Sequence, residues 1–72
     1  MLPLSMAAEG DSLEIVRITG RDELRRHLAE LGLVTGEHVT VVNSIAGNLI
    51  LQVKDSRIAL DRALCNRIMV NV

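Results

Sequence analysis

Three side chains of this 72-residue sequence are good soft metal ligands: His27, His38 and Cys65. Ligand sets for zinc and similar ions announce themselves as CxxC pairs or as histidines one helical turn apart. Neither pattern occurs here. Cys65 stands between Leu64 and Asn66, a setting that suits a small buried hydrophobe better than a nucleophile. No serine falls into a readable pattern with a histidine and an aspartate. General acid–base work needs paired groups in a cleft. The carboxylates Asp22, Glu23, Glu30 and Glu37 instead belong to one helix and the turn after it. Arg26 and Glu30 are four apart on that helix, as are Glu23 and His27, the spacing of ordinary pairs worth a few tenths of a kcal/mol. The glycines are isolated, with no GxGxxG or P-loop to hold a phosphate. The expectation is therefore no catalytic residue, no metal ligand set, no cofactor and no enzyme.

The totals narrow the class further. Seventy-two residues make one domain, here 1–72, which buries about 60% of the surface its unfolded chain exposes. Yet 49% of the residues are apolar and the mean hydropathy is +0.30. Some of that apolar material is expected to stay outside, and an exposed apolar patch marks a partner or membrane contact. The net charge is −1, so the basic footprint of a nucleic-acid binder is missing. There is no Phe, Tyr or Trp, which removes stacking platforms for bases and aromatic grooves for proline-rich ligands. The single cysteine suits a reducing compartment, and no apolar run reaches the roughly 18 residues of a membrane span. Met1 to Ala8 lacks a basic start and does not read as a signal peptide. A cytoplasmic location is the default.

The elements that must position any surface follow from periodicity. Met1 to Asp11 reads as an extended arm with a turn near Gly10, its Leu2, Leu4 and Met6 covering a core edge. Leu13 to Ile18 reads as a strand with partial alternation. Arg21 to Leu31 is the one clear helix, with Leu24, Leu28 and Leu31 in a single apolar stripe. Gly32 sits where a left-handed C′ residue ends a helix, and Leu33 would fold back onto Leu28. Val34 to Glu37 reads as a type II turn, with Gly36 supplying its positive φ. Val39, Val41 and Asn43 then alternate with His38, Thr40 and Val42. A loop at Ala46-Gly47-Asn48 leads to Leu49, Leu51 and Val53, and a turn at Lys54-Asp55-Ser56 leads to Ile58 and Leu60. Asp61 to Cys65 resembles one helical turn capped by Asp61. Ile68, Val70 and Val72 close the pattern. The expected fold is mainly β: a small SH3-like five-stranded barrel, closed so that no edge is exposed, with one α-helix between strands 1 and 2 plugging an open end.

The run from Arg25 to Gly36, Arg-Arg-His-Leu-Ala-Glu-Leu-Gly-Leu-Val-Thr-Gly, resembles the R-x-x-L-x-x-L-G-L-x-P-G signature of the FeoA family. Gly10, Ile15 and Ile18 ahead of it agree in order. So do Ile58-Ala59-Leu60, Ala63 and Ile68-Met69-Val70 after it, so the resemblance covers essentially the whole chain. It implies an SH3-like barrel and a role in bacterial ferrous iron uptake, beside FeoB, the membrane Fe²⁺ transporter with a cytoplasmic GTPase domain. Two positions depart from the family pattern. Thr35 replaces the usual proline, and Asp55 replaces a common glycine in a turn that must visit the left-handed region. The motif contains no metal ligand. The same domain type closes DtxR-like metal-dependent repressors, but no helix-turn-helix precedes it here, so a free-standing module is expected.

Two readings of different class follow. In the first, the chain is a cytoplasmic accessory protein that contacts an FeoB-like transporter through apolar side chains ringed by arginine. Its expected contact residues are Arg25, Arg26, Leu33, Val34, Ile45, Leu49 and Ile50, with Gly32 and Gly36 as structural turns. Leu33 carries a competing role in the helix cap. In the second, the chain is a self-associating or metal-sensing domain, a weak homo-oligomer formed through a strand edge or a weak divalent-metal binder.

Overall fold

The computed structural model describes residues 1–71. Six strands form one antiparallel sheet: β1 (Leu2–Pro3), β2 (Ser12–Ile18), β3 (His38–Ile45), β4 (Asn48–Val53), β5 (Ser56–Leu60) and β6 (Ile68–Asn71). A 3₁₀ turn, Leu4–Met6, follows β1, helix α1 (Asp22–Glu30) follows β2, and helix α2 (Arg62–Cys65) follows β5. The spatial order is β1-β6-β2-β3-β4-β5.

Two expectations need correction. The N-terminal arm contributes a sixth strand, with Leu2 opposite Val70 and Pro3 opposite Met69, so α1 lies between the second and third strands. The sheet also does not close: β1 and β5 are its two ends. The first end is protected by brevity and by a proline, which has no N–H to offer. Val72, placed in the last strand by its alternation, lies outside the described residues.

The core is a single cluster that includes Leu4, Leu13, Ile15, Leu28, Val39, Val41, Leu51, Ile68 and Val70. Of the expected helix stripe, Leu28 is fully buried while Leu24 and Leu31 are half-buried against the cluster. Leu4 is buried, but Met6 points outward and covers nothing. Among the described residues no buried side-chain polar atom lacks a hydrogen-bond partner.

The local signals that end the helix act as read. Gly32 adopts φ +92°, its N–H donates to the Ala29 carbonyl at 2.9 Å, and the Leu33 N–H donates to the Leu28 carbonyl at 2.9 Å. That is the paired bonding of a Schellman cap, and it seats Leu33 in the core beside Leu28. At the next turn Gly36 takes φ +94° and the Glu37 N–H donates to the Val34 carbonyl at 3.0 Å, as a type II turn requires. The Asp61 carboxylate accepts from the Leu64 N–H at 2.9 Å and caps α2. In the turn between β4 and β5 the positive φ falls on Lys54, at +53°, and not on Asp55. The Lys54 ammonium lies 3.4 Å from the Glu37 carboxylate, which ties that turn to the start of β3.

Candidate functional site

The exposed apolar surface is made by a register shift. Thr40 pairs with Gln52 and Val41 with Leu51, but Asn43 then pairs with Ile50, Ser44 with Leu49 and Ile45 with Asn48. Val42 is the extra residue of a β-bulge. Successive strand residues face opposite sides, so plain alternation from Val39 and Val41 would send Asn43 and Ile45 into the core. The bulge reverses that parity, and the two residues emerge on the outer face beside Asn48 and Ile50. Ile45 is 66% exposed and Ile50 37% exposed. A second bulge, at Val16, does the same on β2 and turns Arg17 out to solvent.

The outer face forms a shallow groove of about 210 Å³, lined by Asn43, Ile45, Asn48, Ile50 and Ala59, with the buried Leu49 and Leu60 beneath it. Among the described residues no charged side chain lines it. Fully burying an isoleucine is worth about 1.5–3 kcal/mol, and the uncovered parts of Ile45 and Ile50, 66% and 37%, together amount to about one such side chain. The Ala46-Gly47 turn, with φ of +53° and +86°, holds the hairpin tight. The Arg62 side chain packs over Gly47, and a Cβ there, 2.8 Å away, would push it aside. Asn48 Oδ1 accepts from the Arg62 N–H at 2.8 Å and fixes the hairpin to α2.

The residues expected at the surface divide. Ile45 and Ile50 come together in this groove. Leu49 does not join them as a contact, because it faces the core and is fully buried. Leu33 is likewise fully buried by the helix cap and lies beneath a second opening, beside Val34. Val34, 42% exposed, lies with Arg25 in that opening of about 320 Å³, which also includes Ile18, Ala29 and Thr35. Arg25 is already engaged by the Asp22 carboxylate. Arg26 is exposed on α1 and lines neither opening. Seven residues of β3, His38 to Ser44, lie between Ile45 and the turn that carries Val34, a span of roughly 23 Å at 3.3 Å per residue, so the two openings are separate. Asn43, Asn48 and Ala59 were not foreseen as lining residues. Only the strand register reveals them.

The groups that could do chemistry stay apart. His27 and His38 are exposed, and His38 faces Glu14 across β2 and β3. Cys65 is buried, its thiol 3.7 Å from the Leu60 carbonyl. Burial pushes that thiol up from its ordinary 9.0; the nearby Asp61 carboxylate adds to the shift and the backbone at Leu49 opposes it. Among the described residues no three His, Cys, Asp or Glu side chains converge to hold a metal. Among them also, no helix is long and apolar enough to cross a membrane.

Short antiparallel strands bent by bulges, with a helical turn before the last, define an SH3-like domain. FeoA of Stenotrophomonas maltophilia, solved with zinc and described as a prokaryotic SH3 domain protein, shares the fold at a TM-score of 0.82 and 30% identity, covering 99% of this chain and 91% of that one. The model of the FeoA domain matches residues 2–72, and the chain belongs to the FeoA family of ferrous iron transport accessory proteins. A crystal structure of FeoA, there called an iron uptake regulatory protein, superposes with a TM-score of 0.88 at 33% identity over 97% of this chain and 93% of that one. A protein of Methanocaldococcus jannaschii with the provisional name Fe(2+) transport protein A is 31% identical over 70 residues, covering 97% of this chain and 85% of its own length. A manganese-dependent transcriptional repressor contains the same fold at 19% identity and a TM-score of 0.83, over 38% of its length.

Proposed function

We propose that this chain is a cytoplasmic, non-catalytic accessory protein that acts by binding the cytoplasmic part of an FeoB-like ferrous iron transporter. The observation that carries the reading is the Ile45–Ile50 groove: an uncharged apolar face on a domain whose core is otherwise complete. Membership of the FeoA family supplies the transport context. Catalysis has no support in the side chains, since the histidines are exposed and dispersed and the thiol is buried.

Calorimetric titration of the chain into the transporter's cytoplasmic part tests the reading. Saturable binding that Ile45→Glu weakens and Val34→Glu leaves unchanged supports the groove as the docking face. Absence of binding, or sensitivity to Val34→Glu alone, refutes it.

The sensory reading draws on the repressor that shares the fold, a likeness of fold alone. The lack of a convergent ligand set among the described residues weighs against a metal site of this chain's own.

A further inference from the structure

The groove does not stop at side chains; it continues into an open strand edge. Among the described residues β5 pairs only with β4 and is the last strand of the sheet. Val53 and Ser56 close a two-residue turn, which makes them a hydrogen-bonded pair. Bonded and non-bonded pairs alternate along an antiparallel ladder. Ser56, Ile58 and Leu60 therefore spend their backbone groups on β4, while Arg57 and Ala59 present theirs to the open edge. Both residues are exposed. Ala59 stands opposite Ile50 and lines the groove, and Arg57 stands opposite Gln52 on the same outer face.

Charge brackets this edge. Arg57 Nε donates to Gln52 Oε1 at 3.1 Å at one end of the groove, and the Arg62 side chain covers Gly47 at the other. Of the carboxylates around it, Asp61 is occupied in capping α2, Glu9 accepts from the Ser44 N–H on the β3 side, and Asp55 sits in the turn before β5, beyond Arg57. A lone arginine on an edge is ordinary protection against unwanted pairing. An edge that runs into an apolar groove and has arginine at both ends is a template for a particular guest.

We propose that β5 receives an extended segment by strand addition, and that this segment carries an apolar residue flanked by acidic residues at every second position. The backbone of the guest bonds to Arg57 and Ala59. Its central apolar side chain lies beside Ala59 against Ile50, and its two carboxylates meet Arg57 and Arg62. Main-chain bonds of this kind give affinity and the alternate side chains give selectivity. The inference rests on the docking role above and specifies the chemistry of the docked segment.

The test uses the full chain, ¹⁵N-labelled, and the blocked heptapeptide Thr-Glu-Val-Ile-Val-Glu-Thr, with a control in which lysine replaces both glutamates. The acidic peptide should shift the amides of Ile50, Arg57 and Ala59 and slow solvent exchange at Arg57 and Ala59. The lysine peptide should bind at least tenfold more weakly, and Arg57→Glu, at an exposed site, should reverse the preference. Equal binding of both peptides, shifts without protection at Arg57 and Ala59, or concentration-dependent shifts there in the protein alone, which would assign the edge to a second copy, each overturn the proposal. If the peptides fail while the transporter's cytoplasmic part still perturbs Ile45 and Ile50, strand addition is wrong and the docking role stands. If neither binds, the docking role falls with it.

Discussion

Asn43 stands directly across from Ile50, and it does so only because Val42 is bulged out of the β3–β4 ladder. The consequence reaches the end of the hairpin. Ile45, two residues on, leaves the core face and becomes the more exposed of the two isoleucines in the groove. A change of one residue in register thus turns a core position into a contact position, the inversion that a period of two makes unavoidable.

The turn that closes this hairpin carries strain that a single substitution should release. Ala46 adopts φ +53°, a region that costs a residue with a side chain about 1–2 kcal/mol. Ala46→Gly removes the clash but loses more backbone entropy on folding, of order 0.5–1 kcal/mol. The expected net gain is up to about 1 kcal/mol in urea unfolding, with unchanged binding. A loss of stability above about 1 kcal/mol would show that the left-handed turn is not populated.

Leu28 is the helix residue on which the core depends. It is fully buried, while its stripe partners Leu24 and Leu31 are half-buried. Leu28→Ala should cost about 2–5 kcal/mol, and Leu24→Ala clearly less. Chemical denaturation of both variants checks the order. Equal losses would mean that α1 does not sit on the sheet as described.

Cys65 should make stability fall in alkali. Burial raises its folded pKa above the ordinary 9.0, so the fold favours the protonated thiol. Its contribution is therefore fully present below the unfolded value and is lost as pH rises from there toward the folded one. The chain has no tyrosine and a single lysine, which leaves few other groups titrating in that window. Urea unfolding between about pH 8 and pH 10 should show a downward slope that Cys65→Val reduces. Identical slopes for the two proteins would contradict the assignment.

Much of this fold is legible in residue order, because the legible parts are local. The Gly32 cap, the Gly36 turn and the Asp61 cap each use a residue chosen for one backbone geometry, and each lies within a few residues of what it bonds. The strand β1 leaves no such mark. It is two residues long and exists because β6, at the far end of the chain, offers Met69 and Val70 as partners. The bulges are hidden for a different reason. Valine is an ordinary strand residue, and nothing in Val16 or Val42 itself announces an extra position. The cue was indirect: alternation in Leu13–Ile18 would have buried Arg17. The hidden bulge at Val42 is why Asn43 does not show in the sequence as a neighbour of Ile45 and Ile50 on the outer face. Leu49 is a different case: β4 alternates regularly, so Leu49 goes to the core with Leu51 and Val53 and does not belong with Ile50. Closure was expected because it abolishes edges. The sheet instead keeps two short ends, one with a proline and one with an arginine.

The most direct test of the central claim is amide shift mapping of the labelled chain on addition of the transporter's cytoplasmic part, repeated with Ile45→Glu. Shifts should concentrate at Asn43, Ile45, Ile50 and Ala59. The variant should bind at least tenfold more weakly while its unfolding free energy changes by less than about 1 kcal/mol, as a surface substitution allows. Unperturbed signals at those four residues, or wild-type affinity in the variant, would contradict the account.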